Sequence, residues 1–444
     1  MRTKNIQNIH SLRQMISLFL SIALAFVVIN QIPADVIATS TIQAVPMLNG
    51  TLTAVNNSFG SQTNPHVNRN RVSYTNDDFE GTSLIHFFDF ATATDNVVPA
   101  NGFTRLSDVA DNRVVFTEFT ASGDHIVVFD TTTQTRTFVS GFRSSNSGIG
   151  SNSVVFEDRS STQSDVDVYD FGTSTLTALT NDALFDKNPQ VSPTGNAVVW
   201  EKCQNEVQRE GVGCDIYSAV QTSPGVFTTR QLTDSTGEDH RPDTNGEVVV
   251  YTSTRGSETD VYYQPVLGGT ETRIPIPGDQ RDVRVSGNLI VFESDTGAGY
   301  DVFVYDITGG SLYQLTNTPL VSETLSDISV WNGTGRVVYA APGAGDFDVY
   351  AITFQIPSSV QGGLNDLIAL VTSFHLPHGI ENSLLTKLQS ALAALNASDT
   401  ATTCDALKSF TNQSSAQSEK ALTEEQAGQL INRASQIRTT LGCQ

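Results

Sequence analysis

In this chain of 444 residues, 47 Asp and Glu stand against 25 Lys and Arg, a formal net charge of −22 at pH 7. That charge repels a phosphate backbone and an anionic membrane surface alike, so no nucleic-acid partner is expected, and its plain reading is a solvated acidic exterior. The length exceeds what one ordinary domain needs and suffices for at least one large core, so two domains are expected.

Residues 1–38 have the form of a secretory signal: Arg2, Lys4 and Arg13 precede an apolar run from Met15 to Ile29, followed by Pro33 and the small or aliphatic Val36-Ile37-Ala38. The alternative is an uncleaved anchor, since the run approaches the ~18 residues that span a bilayer. No cysteine lies near the cleavage region, which gives no support to lipid attachment there, and nothing later is apolar enough to cross a membrane. The expected location is secreted, periplasmic or cell-surface, with no membrane span once the leader is removed. The four cysteines form two local groups, Cys203 with Cys214 and Cys404 with Cys443. Neither pair has the further Cys or His at short spacing that zinc needs, and an oxidising destination favours two disulfides.

Between residues 51 and 356 a repeat is marked by paired residues ending in an aromatic. These are Val72-Ser73-Tyr74, Val114-Val115-Phe116, Val154-Val155-Phe156, Val198-Val199-Trp200, Val249-Val250-Tyr251, Ile290-Val291-Phe292 and Val337-Val338-Tyr339. Successive aromatics lie 42, 40, 44, 51, 41 and 47 residues apart, the length of a four-stranded propeller blade. A second strand follows each anchor, clearest in Asp165–Asp170, Asp215-Ile216-Tyr217, Asp260–Tyr263, Asp301–Asp306 and Asp348-Val349-Tyr350, with Gly, Ser, Asp and Asn clusters between for the turns. A third strand such as Leu176–Thr180 or Tyr313–Thr316 closes each unit, and one before each anchor, such as Asn188–Ser192, completes four. The seventh unit lacks its outer strand, yet Thr51–Asn56 reads like Thr175–Thr180. The expected fold is therefore a mainly β, seven-bladed β-propeller closed by an N-terminal strand, because an open ring would leave an unpaired edge.

The segments Leu232 to Tyr263 and Leu179 to Tyr217 resemble the repeat of TolB-like propellers. The matching residues are Leu232-Thr233-Asp234, Arg241-Pro242-Asp243, Asn245-Gly246, Val249–Ser253, Arg255-Gly256 and Asp260-Val261-Tyr262, and again Pro189, Ser192–Gly195, Trp200 and Asp215-Ile216-Tyr217. The resemblance implies a fold and names no reaction. That family pairs six blades with an α/β domain in front, whereas seven units with a helical segment behind point away from a Tol-system role.

From residue 360 to 444 the apolar period changes to that of a helix, with stripes at Leu364, Leu367, Ile368, Val371 and Phe374; at Leu384, Leu385, Leu388, Leu392 and Leu395; at Cys404, Leu407 and Phe410; and at Ala427, Leu430, Ile431, Ala434 and Ile437. Four helices are expected, with a capping box from Thr423 to Gln426 and an end at Gly442. So small a core needs a staple, and Cys404–Cys443 supplies it. The stretch also resembles the small FIMAH-type helical module of exported bacterial proteins, which implies an extracellular setting.

Little in the chain announces chemistry. No Gly-x-Ser-x-Gly elbow occurs and no α/β domain remains for a serine hydrolase. A metal-assisted polysaccharide lyase would have to gather ligands from His66, His86, His125 and His240, the histidines of the propeller segment. His66 follows Pro65 and His240 precedes Arg241-Pro242 in the corresponding place of another blade, so both can approach the funnel; Glu238, Asp239 and Asp243 beside His240 form the best cluster for a cation or a basic group. The recurring Asp165, Asp215, Asp260, Asp301 and Asp348 read as turn caps. Trp200 sits at a core anchor, and Trp331 beside Asn332-Gly333 is a candidate for stacking on a sugar. No catalytic residue and no cofactor is assigned, and a metal is left open. The expected function is an exported, non-catalytic, monomeric propeller presenting a loop-lined face to a protein or glycan, with metal-assisted lyase activity as the alternative.

Overall fold

The computed structural model describes residues 45–443 apart from 79–80, 206–212, 296, 298, 319–320, 322, 344–345, 357–359 and 398, so the expected signal segment lies outside the described residues. Seven four-stranded antiparallel sheets are present among them, forming a seven-bladed β-propeller. Six are simple meanders, each beginning with its innermost strand: Ser61–Asn68, Phe103–Ala110, Ser144–Ile149, Phe185–Val191, Asp239–Thr244 and Gln280–Ser286. Blade seven takes Thr324–Trp331, Thr334–Pro342 and Phe347–Gln355 from the end of the array and its outer strand, Thr51–Asn56, from the beginning.

The anchors hold the blades because each second strand is covered on both faces, which demands a near-continuous apolar run. Tyr74, Phe116, Trp200, Tyr251 and Phe292 are all 0 % exposed, and burying each such side chain contributes roughly 1.5–3 kcal/mol. Several stack on an aromatic of the third strand, as Phe292 does on Phe303 and Tyr251 on Tyr262, with centroids 6.1 Å apart in both pairs. Trp200 also donates its indole N–H to Asp186 Oδ1 at 2.7 Å, so its polar atom is satisfied in the core.

The closing strand pairs Thr51 with Thr353, Leu52 with Ile352, Thr53 with Ala351 and Ala54 with Tyr350, then shifts register so that Asn56 meets Val349. Just before it, Leu48 N–H donates to Gln314 O at 2.8 Å and Gln314 N–H to Pro46 O at 3.0 Å, so the same segment first covers the outer edge of blade six.

Cys203 and Cys214 face each other directly across the second and third strands of blade four and are disulfide-bonded. Four helices follow: α1 (Val360–Ser373), α2 (His378–Asn396), α3 (Thr400–Ala416) and α4 (Glu424–Thr440). They bury their own core of Leu364, Leu367, Leu384, Leu388, Leu407, Phe410, Leu430 and Ala434. Asp399 caps α3 by accepting from Thr402 N–H at 3.0 Å. The capping box opens α4, with Gln426 N–H to Thr423 Oγ1 at 3.1 Å and Thr423 N–H to Gln426 Oε1 at 3.0 Å. Gly442 takes a φ of 69° just beyond its end, and the second disulfide joins Cys404 to Cys443. No helix of the described residues is long and apolar enough to cross a membrane.

Two expectations follow. Deleting residues 51–56 bares the edge of Phe347–Gln355, and the melting midpoint read by scanning calorimetry should fall by about 10 °C or more, with aggregation on heating. Replacing Cys404 and Cys443 by Ala should destabilise the helical region by roughly 4 kcal/mol, as expected for a closed loop of this length, in a denaturant titration followed by helical circular dichroism.

Candidate functional site

The central channel is shaped by a β-bulge in the innermost strand of every blade. In six of them one residue takes a left-handed backbone: Asn64, Leu106, Asn146, Asn188, Arg241 and Asp282, with φ between 49° and 55°. Four of the six are Asn or Asp, whose short polar side chains tolerate that conformation best among non-glycine residues. Two positions later the chain turns a side chain toward the axis. The residues at this place are His66, Asp108, Gly148, Gln190, Asp243 and Arg284, with Asp327 the counterpart in blade seven, and all but Gly148 line a cavity of about 80 Å³.

The bulge leaves backbone N–H groups with no strand partner, and carboxylates of the preceding blade accept them. Asp108 accepts from Ile149 at 2.8 Å, Asp243 from Val285 at 2.8 Å and Asp327 from Val67 at 2.8 Å, which links blades two to three, five to six and seven to one. The other junctions with such a link use a glutamate that follows the anchor aromatic. Glu157 accepts from Asn188 N–H at 2.9 Å, Glu201 from Arg241 N–H at 2.6 Å, and Glu293 from Leu325 N–H. Six of seven junctions thus carry a carboxylate-to-backbone link, and at the junction of blades one and two Asp77 meets the Arg105 guanidinium at 3.6 Å. There His66 occupies the axial position and Thr75 follows the anchor Tyr74, while Ser73 and Ser107 meet through their hydroxyls at 3.1 Å.

His66 Nδ1 stands 3.6 Å from Asp108 Oδ1 and 3.8 Å from Asp327 Oδ2, with side-chain exposures of 19 %, 15 % and 18 %. Burial and the Arg284 guanidinium push His66 down to about 3, so the imidazole is neutral. Burial pushes Asp108 up to about 6 and, reinforced by Asp108, raises Asp327 well above the usual carboxylate range. Burial raises Asp243 as well. Arg284 is held by Ser326 O at 2.9 Å and Val283 O at 2.9 Å.

The cluster expected around His240 is divided by the bulge. The position equivalent to His66 is Asp243, not His240: in register, His240 opposes Thr252 as Thr63 opposes Thr75. Asp243 therefore enters the channel, while His240 lies between Glu201 Oε2 at 3.4 Å and Glu238 Oε2 at 2.9 Å. Asp239 is fully buried against Arg255 at 3.0 Å. Glu201, Cys214 and His240 approach one another, but the disulfide occupies Cys214. Trp331 is half-buried and covered by the Arg336 guanidinium, 4.9 Å from its ring centre. His86 pairs with Asp95 at 2.8 Å and His125 with Gly141 O at 3.1 Å, both away from the channel. Of the recurring aspartates, Asp301 caps Thr318 N–H at 3.0 Å, Asp165 and Asp215 lie at Thr180 and Thr233, and Asp260 pairs with Arg273 at 2.6 Å. Asp108, Arg284 and Asp327 escaped the sequence reading; the signal for them was the place two residues beyond the bulge, visible in Asn64-Pro65-His66, Asn188-Pro189-Gln190 and Arg241-Pro242-Asp243 but unmarked by proline in the other blades.

A far larger cleft, about 1240 Å³, opens over blades two to four. Its lining holds seven hydroxyl or amide side chains (Ser145, Asn146, Ser161, Thr162, Gln163, Ser164, Asn188), the cations Arg143, Arg159 and Lys187, the acids Asp124 and Glu157, and the apolar Leu106, Phe119 and Phe185. No histidine is among them. Glu157 is engaged by Arg159 at 2.5 Å as well as by Asn188. Phe103, the first residue of the innermost strand of blade two, and Phe142, just before that of blade three, are 53 % and 58 % exposed.

Among solved structures, the fold is similar to the β-propeller domain of the Trilobed protease from Pyrococcus furiosus, which has an open velcro topology (TM-score 0.54, 10 % identity, 67 % of this chain and 98 % of that one). It is also similar to the Pyrococcus horikoshii acylaminoacyl peptidase (TM-score 0.52, 12 % identity, 66 % of this chain and 51 % of that one) and to puromycin hydrolase (TM-score 0.52, 14 % identity, 69 % and 55 %). The chain spans about half the length of these two enzymes, and at such identities the likeness is one of fold alone. No family model and no curated protein matches the chain.

The His240 environment gives a pH signature. Burial opposes its charge, but Glu201 and Glu238 outweigh that and raise its pKa. A raised folded-state pKa stabilises fully below the unfolded value near 6.5, and the contribution disappears as pH rises through the folded value. His240→Gln should therefore lower the melting midpoint more at about pH 5.5 than at about pH 8.5; an equal deficit at both would contradict the assignment.

Proposed function

We propose that this chain is an exported, TolB-like propeller that acts as a binding scaffold without catalysis, and that the cleft over blades two to four takes an extended acidic glycan. The observation that carries the reading is the composition of the cleft wall. Seven hydroxyl or amide groups match the hydrogen-bonding density of a sugar chain, and three apolar residues are too few for the anchor of a protein interface. Arg143, Arg159 and Lys187 outnumber Asp124 and Glu157 in this cleft on a chain of net charge −22, which favours carboxylate- or sulfate-bearing ligands. Phe119 and Phe185 line the same wall, with the Lys187 ammonium over the Phe185 ring at 5.5 Å.

Metal-assisted cleavage of a glycan finds no support in this arrangement. The cleft wide enough for a sugar chain has no histidine, and the channel that holds one has a volume of about 80 Å³, enough for two or three waters and not for a pyranose ring. Two intrachain disulfides suit an oxidising compartment, and the helical region is assigned a tethering role, as in a FIMAH-type module.

Isothermal titration with uronate-rich, sulfated and neutral polysaccharides tests this. The acidic chains should bind and the neutral ones should not, affinity should fall as salt rises from about 0.05 to 0.3 M, and Arg143→Glu or Lys187→Glu should each weaken binding about tenfold or more. Equal binding of neutral chains, a protein partner insensitive to both substitutions, or release of cleaved glycan would refute the reading.

A further inference from the structure

The axial position of blade one differs from those of its neighbours in a way that points to a ligand. Blades seven, one and two present Asp327, His66 and Asp108 side by side, and one ligand atom from each lies within 4.8 Å of the others. The imidazole nitrogen is 3.6 Å and 3.8 Å from the two carboxylate oxygens, too far to hydrogen-bond to either. Ligands sharing one metal ion through bonds of about 2.0–2.2 Å lie some 3–3.5 Å apart, close to the spacing of the imidazole nitrogen from each carboxylate.

The chemistry of the lining agrees with that geometry. Asp108, Asp243 and Asp327 bring three carboxyl groups into one narrow channel, where Arg284 is the guanidinium facing them. Each Asp108 and Asp327 oxygen accepts one backbone N–H, from Val109 and Ile149 and from Ile328 and Val67 respectively, which leaves each a second lone pair. The cavity has room for two or three waters to complete a coordination sphere. One imidazole with two carboxylates favours first-row transition ions over calcium or magnesium.

We propose that the throat of the channel binds one divalent transition-metal ion, Zn²⁺ or Mn²⁺, through Nδ1 of His66 and one oxygen each of Asp108 and Asp327. The ion ties the blade that closes the ring to the two that open it. Its role is structural, and it stands independently of the glycan cleft.

The test uses the full, untagged chain stripped with chelator. Titration calorimetry with Zn²⁺, Mn²⁺ and Ca²⁺ should show one saturable site per chain for Zn²⁺ or Mn²⁺, with a melting midpoint raised by several degrees at saturation and little effect of Ca²⁺. Co²⁺ in the same site should give a ligand-field absorption band. His66→Ala should abolish the band and the thermal shift while keeping the metal-free midpoint within about a degree; should Ala fail to fold, His66→Phe serves in its place. Asp243→Asn, in the same channel but outside the ligand set, should lower the metal-free midpoint and keep the Co²⁺ band. Absence of saturable binding, binding unchanged in the His66 variant, or a response to Ca²⁺ equal to that of Zn²⁺ and Mn²⁺ would overturn the proposal.

Discussion

The structure depends on satisfying the backbone N–H groups that each innermost strand exposes beside its bulge. These groups face the neighbouring blade, and most belong to buried residues, Val67, Ile149, Val285 and Leu325 among them, where an unpaired amide is costly. A carboxylate is the strongest neutral-pH acceptor the chain can offer, and six junctions use one. Where the axial residue is aspartate it does the work; where it is Gly148, Gln190 or Arg284, a glutamate beside the anchor aromatic of the same blade does it instead. The two solutions never coincide at one junction.

Ring closure is consequently doubled. At the rim, the strand Thr51–Asn56 completes the seventh sheet; at the axis, Asp327 reaches the amide of Val67 across 260 residues of sequence. Closure by backbone ladder outside and by a side-chain hydrogen bond inside leaves neither edge of the last blade open, which limits edge-to-edge association. Asp243, picked out in the sequence beside His240, serves the frame as a backbone acceptor in the same way as Asp108, Glu157 and Glu201. The proposed glycan site lies instead on the loops over blades two to four, whose lining holds three cations and two carboxylates.

Much of this was legible in the residues alone because it is local or periodic. The seven aromatic anchors declare seven buried strands, since a strand covered on both faces must be apolar throughout. The resemblance of Thr51–Asn56 to an outer strand, the pairing of four cysteines into two close groups, and the capping box at Thr423 are likewise read within a few residues of themselves, and the structure has each of them. What was not legible depends on a bulge. One additional residue in the strand Asp239–Thr244 sends Asp243 to the axis and leaves His240 between Glu201 and Glu238, so neighbours three apart in sequence serve two different places.

The chain itself thus determined the number of blades, the strand that closes them and the helical region behind, because hydrophobic period and turn chemistry are properties of short segments. Only the tertiary structure decided which side chains meet at the axis and which cations share a cleft. His66, Asp108 and Asp327 belong to three blades, and their juxtaposition exists only once a ring of seven has closed and each bulge has set which residue points inward.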